Sequence, residues 1–197
     1  KPSDISHVEA ASISLVGLTA LTALEKTAMI EPGMDVLIHA GAGGVGAFAI
    51  QYSKFCGAKV FATASEANFD FVTQLGADKV IDYRTVDFRD VLSNLDVVYD
   101  TMGGDTHLKS YDVLKSGGLL VGLNAEPLPD EKPREDIRVE IPLVDYDRAG
   151  VNRIVELLRV KAVRPSVSAV FALSDAIDAY KLSETTHAKG KIVLSIK

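Results

Sequence analysis

Residues 34–46 read M-D-V-L-I-H-A-G-A-G-G-V-G and decide the fold of this chain. The apolar run 36–40 follows a Pro-Gly turn and has the composition of a parallel strand that is buried on both faces. It ends in Gly41, Gly43 and Gly46, spaced G-x-G-x-x-G, and an amphipathic helical pattern follows. In this setting the glycines permit a tight turn, the close approach of a pyrophosphate and close packing of helix on strand. The stretch therefore predicts a dinucleotide-binding turn rather than a purely structural one.

Strand and helix patterns alternate on the C-terminal side of this turn. Helical patterns separate four further strand-like runs, at residues 59–64, 79–82, 96–100 and 119–123. Alternation at this spacing indicates right-handed β-α-β units. The predicted fold class is therefore α/β: a Rossmann-type, doubly wound parallel sheet with helices on both faces. On the N-terminal side, residues 6–29 predict two helices that are jointed near residues 14–17.

The alternation breaks after residue 123. The proline-containing range 124–136 predicts a loop, and residues 138–144 predict a strand that Pro142 places at a sheet edge. An open edge with apolar side chains can pair with a second copy, so we expect a homodimer through residues 138–144. A helix around residues 151–158, a strand at 167–171, a helix capped by Ser174 and a strand at 192–196 complete the predicted elements.

Composition narrows the class of protein. The 197 residues suit one domain or slightly more, and a net charge of −6 without a basic run argues against nucleic-acid binding. We expect neither a signal peptide in residues 1–4 nor a long uninterrupted apolar span, hence no membrane partner. Cys56 is the only cysteine, which excludes a disulfide framework and fits a cytoplasmic location. The four histidines are too scattered to predict a metal site, and His39 is expected to be a core histidine with satisfied hydrogen bonds.

The end of the second strand predicts the choice between the two nicotinamide cofactors. It reads Thr63-Ala64-Ser65, without the carboxylate that would hold the ribose 2′-hydroxyl of NADH. Ser65 can donate a hydrogen bond to a 2′-phosphate, and Glu66 is interpreted as a complement to the helix dipole. We therefore expect NADP(H), although no arginine stands beside Ser65 in the sequence. The missing acid also argues against a methyltransferase.

A Tyr111-x-x-x-Lys115 pair imitates the catalytic pair of short-chain dehydrogenases. It follows the fourth predicted strand rather than the fifth, and Val98 stands where an upstream serine would be expected. We interpret Tyr111 as core packing and Lys115 as a solvated helix end. The sequence thus predicts a cofactor site and names no catalytic residue.

Six segments together resemble the zinc-free quinone oxidoreductases of the medium-chain dehydrogenase/reductase superfamily, a group that includes the alkenal (enone) reductases and ζ-crystallin. They run in order across the chain: E-A-A-S-I-S-L-V-G-L-T-A at 9–20, A-G-A-G-G-V-G at 40–46, L-G-A-D-K-V-I-D-Y at 75–83, D-V-V-Y-D-T-M-G-G at 96–104, L-K-S-G-G-L-L-V at 114–121 and H-A-K-G-K-I-V-L at 187–194.

The resemblance implies NADPH-dependent hydride transfer to a quinone or to the C=C bond of an α,β-unsaturated carbonyl compound. It implies no metal, since Val16 falls close to a cysteine ligand of the zinc alcohol dehydrogenases. The expected cofactor-binding residues are Thr19 near the nicotinamide, Gly41, Ala42, Gly43, Gly44, Val45 and Gly46 at the pyrophosphate turn, Ser65 at the 2′-phosphate, Tyr83 at the adenosine, and Thr101, Gly122 and Leu123 along the cofactor's reach across the sheet.

The resemblance also implies a domain division. Residues 1–162 would form the NADP-binding Rossmann domain with its N-terminal helices, and residues 163–197 a segment that in the family packs on an N-terminal GroES-like catalytic domain. No segment of this chain resembles that domain, so we expect the cofactor-binding half of a longer enzyme, poorly active alone. The alternative is a non-catalytic NADPH-binding module with a structural or redox-sensing role.

Overall fold

The computed structural model describes residues 1–123, 132–185 and 188–196. Its α-helices are α1 (His7–Leu21), α2 (Gly44–Phe55), α3 (Phe69–Gln74), α4 (Gly104–Ser110), α5 (Arg148–Arg159) and α6 (Ala176–Glu184). Its strands are β1 (Asp35–Ile38), β2 (Lys59–Ala64), β3 (Lys79–Asp82), β4 (Leu95–Asp100), β5 (Leu114–Gly122), β6 (Arg138–Glu140), β7 (Val167–Ala172) and β8 (Lys191–Ser195).

Six strands form one parallel sheet in the order β3-β2-β1-β4-β5-β6. The direction of winding reverses between β1 and β4, and separate apolar clusters cover the two faces of the sheet. One cluster includes Phe48 of α2 and Leu157 of α5, and the other includes Phe88 and Tyr111. This arrangement confirms the doubly wound α/β fold that the sequence predicts.

The N-terminal helix does not have the predicted joint. α1 begins at a capping box, in which Ser6 and Glu9 bond each other's backbone, and passes into a π-helical segment at Thr22–Thr27. Gly17 marks a packing contact instead of a break, because a Cβ there would lie 2.7 Å from Ile154 Cδ1 and 3.0 Å from Phe48 Cε2. By length and composition alone, the 21 residues His7–Thr27 could cross a membrane, but 56% of the 18-residue apolar stretch within them is buried inside the fold.

Three helix assignments also differ from the prediction. The helix expected after the third strand is a 3-10 turn, Phe88–Asp90, and Leu95 already belongs to β4. α4 ends at Ser110, so Lys115 lies in β5, where it forms an ion pair with Asp96 rather than ending a helix. Ser174 lies in the 3-10 turn Leu173–Asp175 and donates its hydroxyl to Asp175, so it does not cap α6.

The predicted edge strand is shorter than expected. Only Arg138–Glu140 pairs with β5, with Leu120 opposite Val139, and the ladder stops before Pro142. Proline lacks the N–H that a continued ladder would need. β6 is nevertheless the outer strand of the sheet, as predicted. Most of the predicted loop at 124–136 lies outside the described residues.

The C-terminal segment forms a small unit that touches the glycine turn. β7 and β8 make a two-stranded parallel sheet, and β8 packs against α1 and α6. Gly190 N donates to Ala42 O at 2.9 Å, which anchors the start of β8 directly on the predicted dinucleotide turn. The proposed boundary near residue 162 is not tested by these contacts and stays a prediction.

Candidate functional site

A cavity of about 670 Å³ opens at the carboxyl ends of β1, β2 and β3. Its walls come from the glycine turn, from the residues that follow β2 and β3, and from α4. In open parallel sheets, ligands bind outside the carboxyl ends of the strands, near the point where the strand order reverses. This cavity therefore lies where the fold predicts a ligand.

The glycine turn presents backbone donors to this cavity. Gly43 is the N-cap of α2, and no described side chain caps the helix there. The first N–H groups of a helix have no partner within the helix and carry partial positive charge, so they attract an anion. The turn is held by Gly41 N, which donates to Thr63 O at 2.8 Å, and by Gly43 N, which donates to Ala40 O at 3.0 Å. Such a turn could hold a pyrophosphate.

Gly46 shows why the third glycine of the motif is needed. A Cβ at this position would lie 2.3 Å from Ala40 O and 2.9 Å from Gly41 Cα. Both are backbone atoms of the turn, so neither can swing aside. Absence of a side chain therefore lets α2 rest directly on the end of β1.

The end of β2 supplies a hydroxyl to the cavity wall. Ser65 is 5% exposed, and its Oγ accepts a hydrogen bond from Asn68 Nδ2 at 3.2 Å. A hydroxyl that accepts one bond still has its own hydrogen to donate, and a phosphate oxygen is a suitable acceptor. No described carboxylate of β2 stands at this strand end, so the residues present fit a phosphorylated ribose.

Two cations that the sequence reasoning missed line the same cavity. Arg84 directly follows Tyr83 after β3, and its guanidinium carbon lies 5.6 Å from the centroid of the Tyr83 ring. Lys109 of α4 also lines the cavity. The signal for Arg84 was available, because β3 lies beside β2 and Ala64 is opposite Asp82 in the register. No arginine stands beside Ser65 in the sequence, but Arg84 lines the same cavity as Ser65.

The acidic residue of the cavity is already neutralised. The side chain of Arg89 bonds both carboxylate oxygens of Asp87. The hydrogen bonds from Arg89 hold the pKa of Asp87 at about 2. The carboxylate is thus committed to that pair, and Arg84 and Lys109 are the cationic side chains that line the cavity.

The predicted cofactor residues divide into three groups. Ala42, Gly43, Ser65 and Tyr83 line the cavity. Gly41, Gly44, Val45 and Gly46 form the adjoining turn and the start of α2. Four lie outside the cavity: Thr19 on α1, Thr101 after β4, and Gly122 and Leu123 at the end of β5. Their assignment to a cofactor stays a prediction.

A buried Asp100–His107 pair fixes the loop at the end of β4, and sequence reasoning gave it no role. His107 Nδ1 lies 2.9 Å from Asp100 Oδ2, while Met102 N and Gly103 N donate to Asp100 Oδ1 at 2.9 and 3.0 Å. Burial favours the neutral acid, but the hydrogen bonds from His107, Gly103 and Met102 hold the pKa of Asp100 below its ordinary value. The carboxylate thus orders the segment that carries Thr101.

The expectations for His39 and Tyr111 are confirmed. His39 is 1% exposed, and its two ring nitrogens lie 3.1 Å from the hydroxyls of Thr63 and Ser110. Desolvation by burial lowers the pKa of His39 to about 4, so it is neutral at physiological pH. Tyr111 is buried in the second apolar cluster, where its ring meets that of His107 edge-on. In the described part of the chain, no three His, Cys, Asp or Glu side chains are grouped to hold a metal ion.

Comparison with known proteins agrees with this geometry. Residues 75–194 match the family described as zinc-binding dehydrogenase. The chain is 34% identical to a mitochondrial NAD(P)H oxidoreductase of Danio rerio, covering 100% of this chain and 59% of the relative. It is also 34% identical to the chloroplastic NADPH-dependent alkenal/one oxidoreductase of Arabidopsis thaliana, covering 98% of this chain and 48% of the relative. The structure of the quinone oxidoreductase from Coxiella burnetii superposes with a TM-score of 0.90 at 35% identity, over 100% of this chain and 63% of that one.

The chain therefore spans about half to two thirds of the length of these proteins. Two of the relatives are named for organelles, and a cytoplasmic location of this chain stays a prediction.

Proposed function

The chain belongs to the zinc-binding dehydrogenase family, and on that premise we propose that it binds NADPH for hydride transfer to a quinone or to the C=C bond of an α,β-unsaturated carbonyl compound. The observation that carries the proposal is the cavity in which the uncapped start of α2, the Ser65 hydroxyl and the cations Arg84 and Lys109 meet. Each of these groups is a donor or a positive charge, which is the set that a pyrophosphate and a ribose phosphate require.

The pyrophosphate would lie at the glycine turn. The N–H groups at the start of α2 would donate to its oxygens, and the helix dipole would favour its charge. Gly43 leaves room for this approach because it has no side chain. Gly41 and Gly46 keep the turn close to the sheet and would act on the ligand only through that position.

The 2′-phosphate would lie between Ser65 and Arg84. A charge-assisted hydrogen bond typically contributes about 1.5–3 kcal/mol, so one arginine contact would favour NADPH over NADH by roughly tenfold or more. Tyr83 would offer its exposed ring to the adenosine, and its neighbour Arg84 would stack on that ring as well as meet the phosphate. Asn68 supports the site by orienting the Ser65 hydroxyl.

When bound, the cofactor supplies the hydride. The residues of this chain bind and orient it: Thr19, Thr101, Gly122 and Leu123 would line the path along the ends of β4 and β5 towards the nicotinamide. Val16 is buried and cannot ligate zinc, which supports hydride transfer by positioning alone. The substrate class is proposed from the alkenal/one and quinone oxidoreductases to which the chain is similar.

The relatives are longer than this chain, and we propose that in the whole protein residues 163–197 pack against a further domain that covers the nicotinamide. The exposed side chains of this segment support the idea: Val170, Leu173, Ile177, Tyr180 and Ile196 are all at least half exposed. Reading the encoding gene upstream of the codon for Lys1 tests it.

We also propose a homodimer that joins two sheets at β6. β6 is the outer strand, and Leu143, just beyond it, is 93% exposed. Ile141 Cγ1 lies 3.5 Å from where a Cβ on Gly122 would be, so Ile141 faces the sheet and Leu143 is the better probe of an interface.

Cofactor titration tests the central proposal. Quenching of NADPH or NADH fluorescence is measured with the wild-type chain and with Arg84→Ala, and Lys181→Ala serves as the charge-matched control because Lys181 is an exposed residue of α6. We expect NADPH to bind more tightly, and Arg84→Ala to weaken NADPH about tenfold while NADH stays within about twofold. Equal or tighter NADH binding by the wild type would refute the proposal. NADPH oxidation by a panel of quinones and enones then separates a reductase from a module that only binds.

A further inference from the structure

We infer that His39 is a positioning residue: as a neutral imidazole with its proton on Nε2, it holds the Ala40 peptide and the glycine turn in the conformation that receives the nucleotide. The inference rests on the proposed function in one respect, namely that the turn binds a dinucleotide. The hydrogen-bond arrangement itself is independent of any ligand.

His39 sits at the junction of three elements. It follows β1 directly, Nδ1 lies 3.1 Å from Thr63 Oγ1 of β2, and Nε2 lies 3.1 Å from Ser110 Oγ of α4. Its own carbonyl accepts the hydroxyl of Thr101, after β4, at 2.9 Å. The side chain thus connects β2 with α4, and the backbone carbonyl of the same residue connects β1 with the end of β4.

The neighbours determine which nitrogen carries the proton. Ser110 Oγ donates its one hydrogen to Thr106 O at 2.6 Å, so it can only accept from His39, and Nε2 must be the protonated nitrogen. On the other side, Thr63 Oγ1 accepts from Ala40 N at 3.1 Å and has its own hydrogen left to donate to Nδ1. The chain of donation runs without a break from Ala40 N–H to Thr63 to His39, and from His39 to Ser110 to Thr106 O.

Burial keeps the His39 ring uncharged, so that it carries a single proton. Desolvation lowers the pKa of His39 to about 4, and the field of Asp100 opposes that shift only in part. The ring is also held edge-on against Phe88, with centroids 4.8 Å apart. One uncharged and fixed imidazole is therefore present throughout the physiological range.

These hydrogen bonds hold the backbone of Ala40 in place. Its φ of +50° lies in the left-handed region, which a residue with a Cβ rarely adopts, so the conformation needs support from its surroundings. That support is the bond from Ala40 N to Thr63 Oγ1. Ala40 O in turn accepts from Gly43 N at 3.0 Å. It is also the atom nearest to the position that a Cβ on Gly46 would occupy. A shift of Ala40 therefore moves both the turn and the start of α2.

The consequence is specific. The turn would bind the pyrophosphate, which NADPH and NADH share, so a loosened Ala40 should weaken both nucleotides alike. Arg84, by contrast, would act on the 2′-phosphate alone.

Thr63 offers a matched pair of variants. Thr63→Val keeps the shape but removes the hydroxyl, which leaves Ala40 N–H without its acceptor, whereas Thr63→Ser keeps the hydroxyl. We expect Thr63→Val to raise the Kd of both nucleotides about tenfold, and Thr63→Ser to stay within about twofold of the wild type. Thermal unfolding of each variant verifies that the compared chains are folded.

A measurement on the unmodified chain accompanies these variants. Two-bond proton–nitrogen NMR spectra of ¹⁵N-histidine-labelled protein at pH 7 distinguish the tautomers, with His39→Gln used to assign the signal. We expect His39 to be protonated on Nε2 only. A charged His39, or one protonated on Nδ1, would overturn the inference without reference to any ligand.

The outcomes separate the two proposals. If the wild type bound a dinucleotide and Thr63→Val bound both forms equally well, the positioning role would fall and the proposed function would stand. If the wild type bound neither nucleotide, the proposed function would fall and would take the positioning role with it, whichever tautomer was found.

Discussion

Replacing Gly46 with alanine should separate the glycine turn from the helix that it supports. An alanine Cβ would lie 2.3 Å from Ala40 O, about 1.1 Å closer than the 3.4 Å at which ordinary contact begins. Because Ala40 O and Gly41 Cα are backbone atoms, α2 must move away from the turn by about that distance. Gly44→Ala is the matched control, since its Cβ would meet mainly the flexible side chain of Lys191 at 2.6 Å.

The comparison of the two variants isolates the cost of the clash. Alanine gains roughly 0.5–1 kcal/mol over glycine in a helix, and both variants share this gain. Overpacking that forces a backbone shift typically costs about 1–3 kcal/mol, and only Gly46→Ala incurs it in full. A chain of this size loses about 2–4 °C in Tm per kcal/mol, so the Tm of Gly46→Ala should lie roughly 2–12 °C below that of Gly44→Ala.

Thermal unfolding followed by circular dichroism measures this difference, and NADPH titration follows its consequence. We expect Gly46→Ala to bind NADPH more weakly than Gly44→Ala, because the displaced helix start no longer points its N–H groups at the pyrophosphate. Equal Tm values for the two variants would mean that the close approach of α2 to Ala40 is wrong.

Two further predictions concern pH and assembly. Burial depresses the pKa of His39 to about 4 from 6.5, so between these values the unfolded chain binds a proton that the folded chain does not. The free energy of unfolding should therefore be full above pH 6.5 and fall as pH drops towards 4, by up to about 3 kcal/mol, and urea denaturation of His39→Gln should show a flatter profile in this window. Leu143→Lys should convert the proposed dimer to monomers in light scattering, because the side chain is 93% exposed on the single chain and a charge there would oppose the pairing of two copies; a dimer that persists would place the interface elsewhere.

Strands and turn were predictable because their signals are local. A parallel strand buried on both faces appears as a continuous apolar run, and β2 and β3 have the boundaries expected from their composition. The glycine spacing of residues 41–46 depends only on contacts within the turn, such as that of Gly46 with Ala40. The glycine turn could therefore be inferred from the short sequence that runs from β1 to α2.

The segment after β3 shows where that logic stops. Phe88 and Leu92 are buried, yet the backbone makes a 3-10 turn rather than the expected α-helix. Inward-facing apolar residues indicate burial, and burial alone does not determine which carbonyl each N–H will meet. Here Asp87 accepts from Arg89 N, and Asn94 takes a φ of +57°, so local side-chain bonding and a left-handed residue shape the segment instead.

The proposed preference for NADPH depends on residues that follow two different strands, so the end of one strand was not enough to predict it. Ser65 and Arg84 lie far apart in the sequence, but the pairing of Ala64 with Asp82 brings the residues that follow β2 and β3 to the same edge of the sheet. In the proposed complex the ribose would therefore meet both strand ends, and an arginine after the third strand could neutralise a 2′-phosphate as well as one after the second. An interpretation restricted to Thr63-Ala64-Ser65 finds only the missing acid and does not include Arg84. Introducing a carboxylate at the end of β2 tests this reasoning. Ala64→Asp should weaken the binding of NADPH through repulsion of the 2′-phosphate. The double variant Ala64→Asp with Arg84→Ala should bind NADH more tightly than NADPH in the same fluorescence titration. Unchanged NADPH binding in the double variant would mean that neither strand end contacts the ribose.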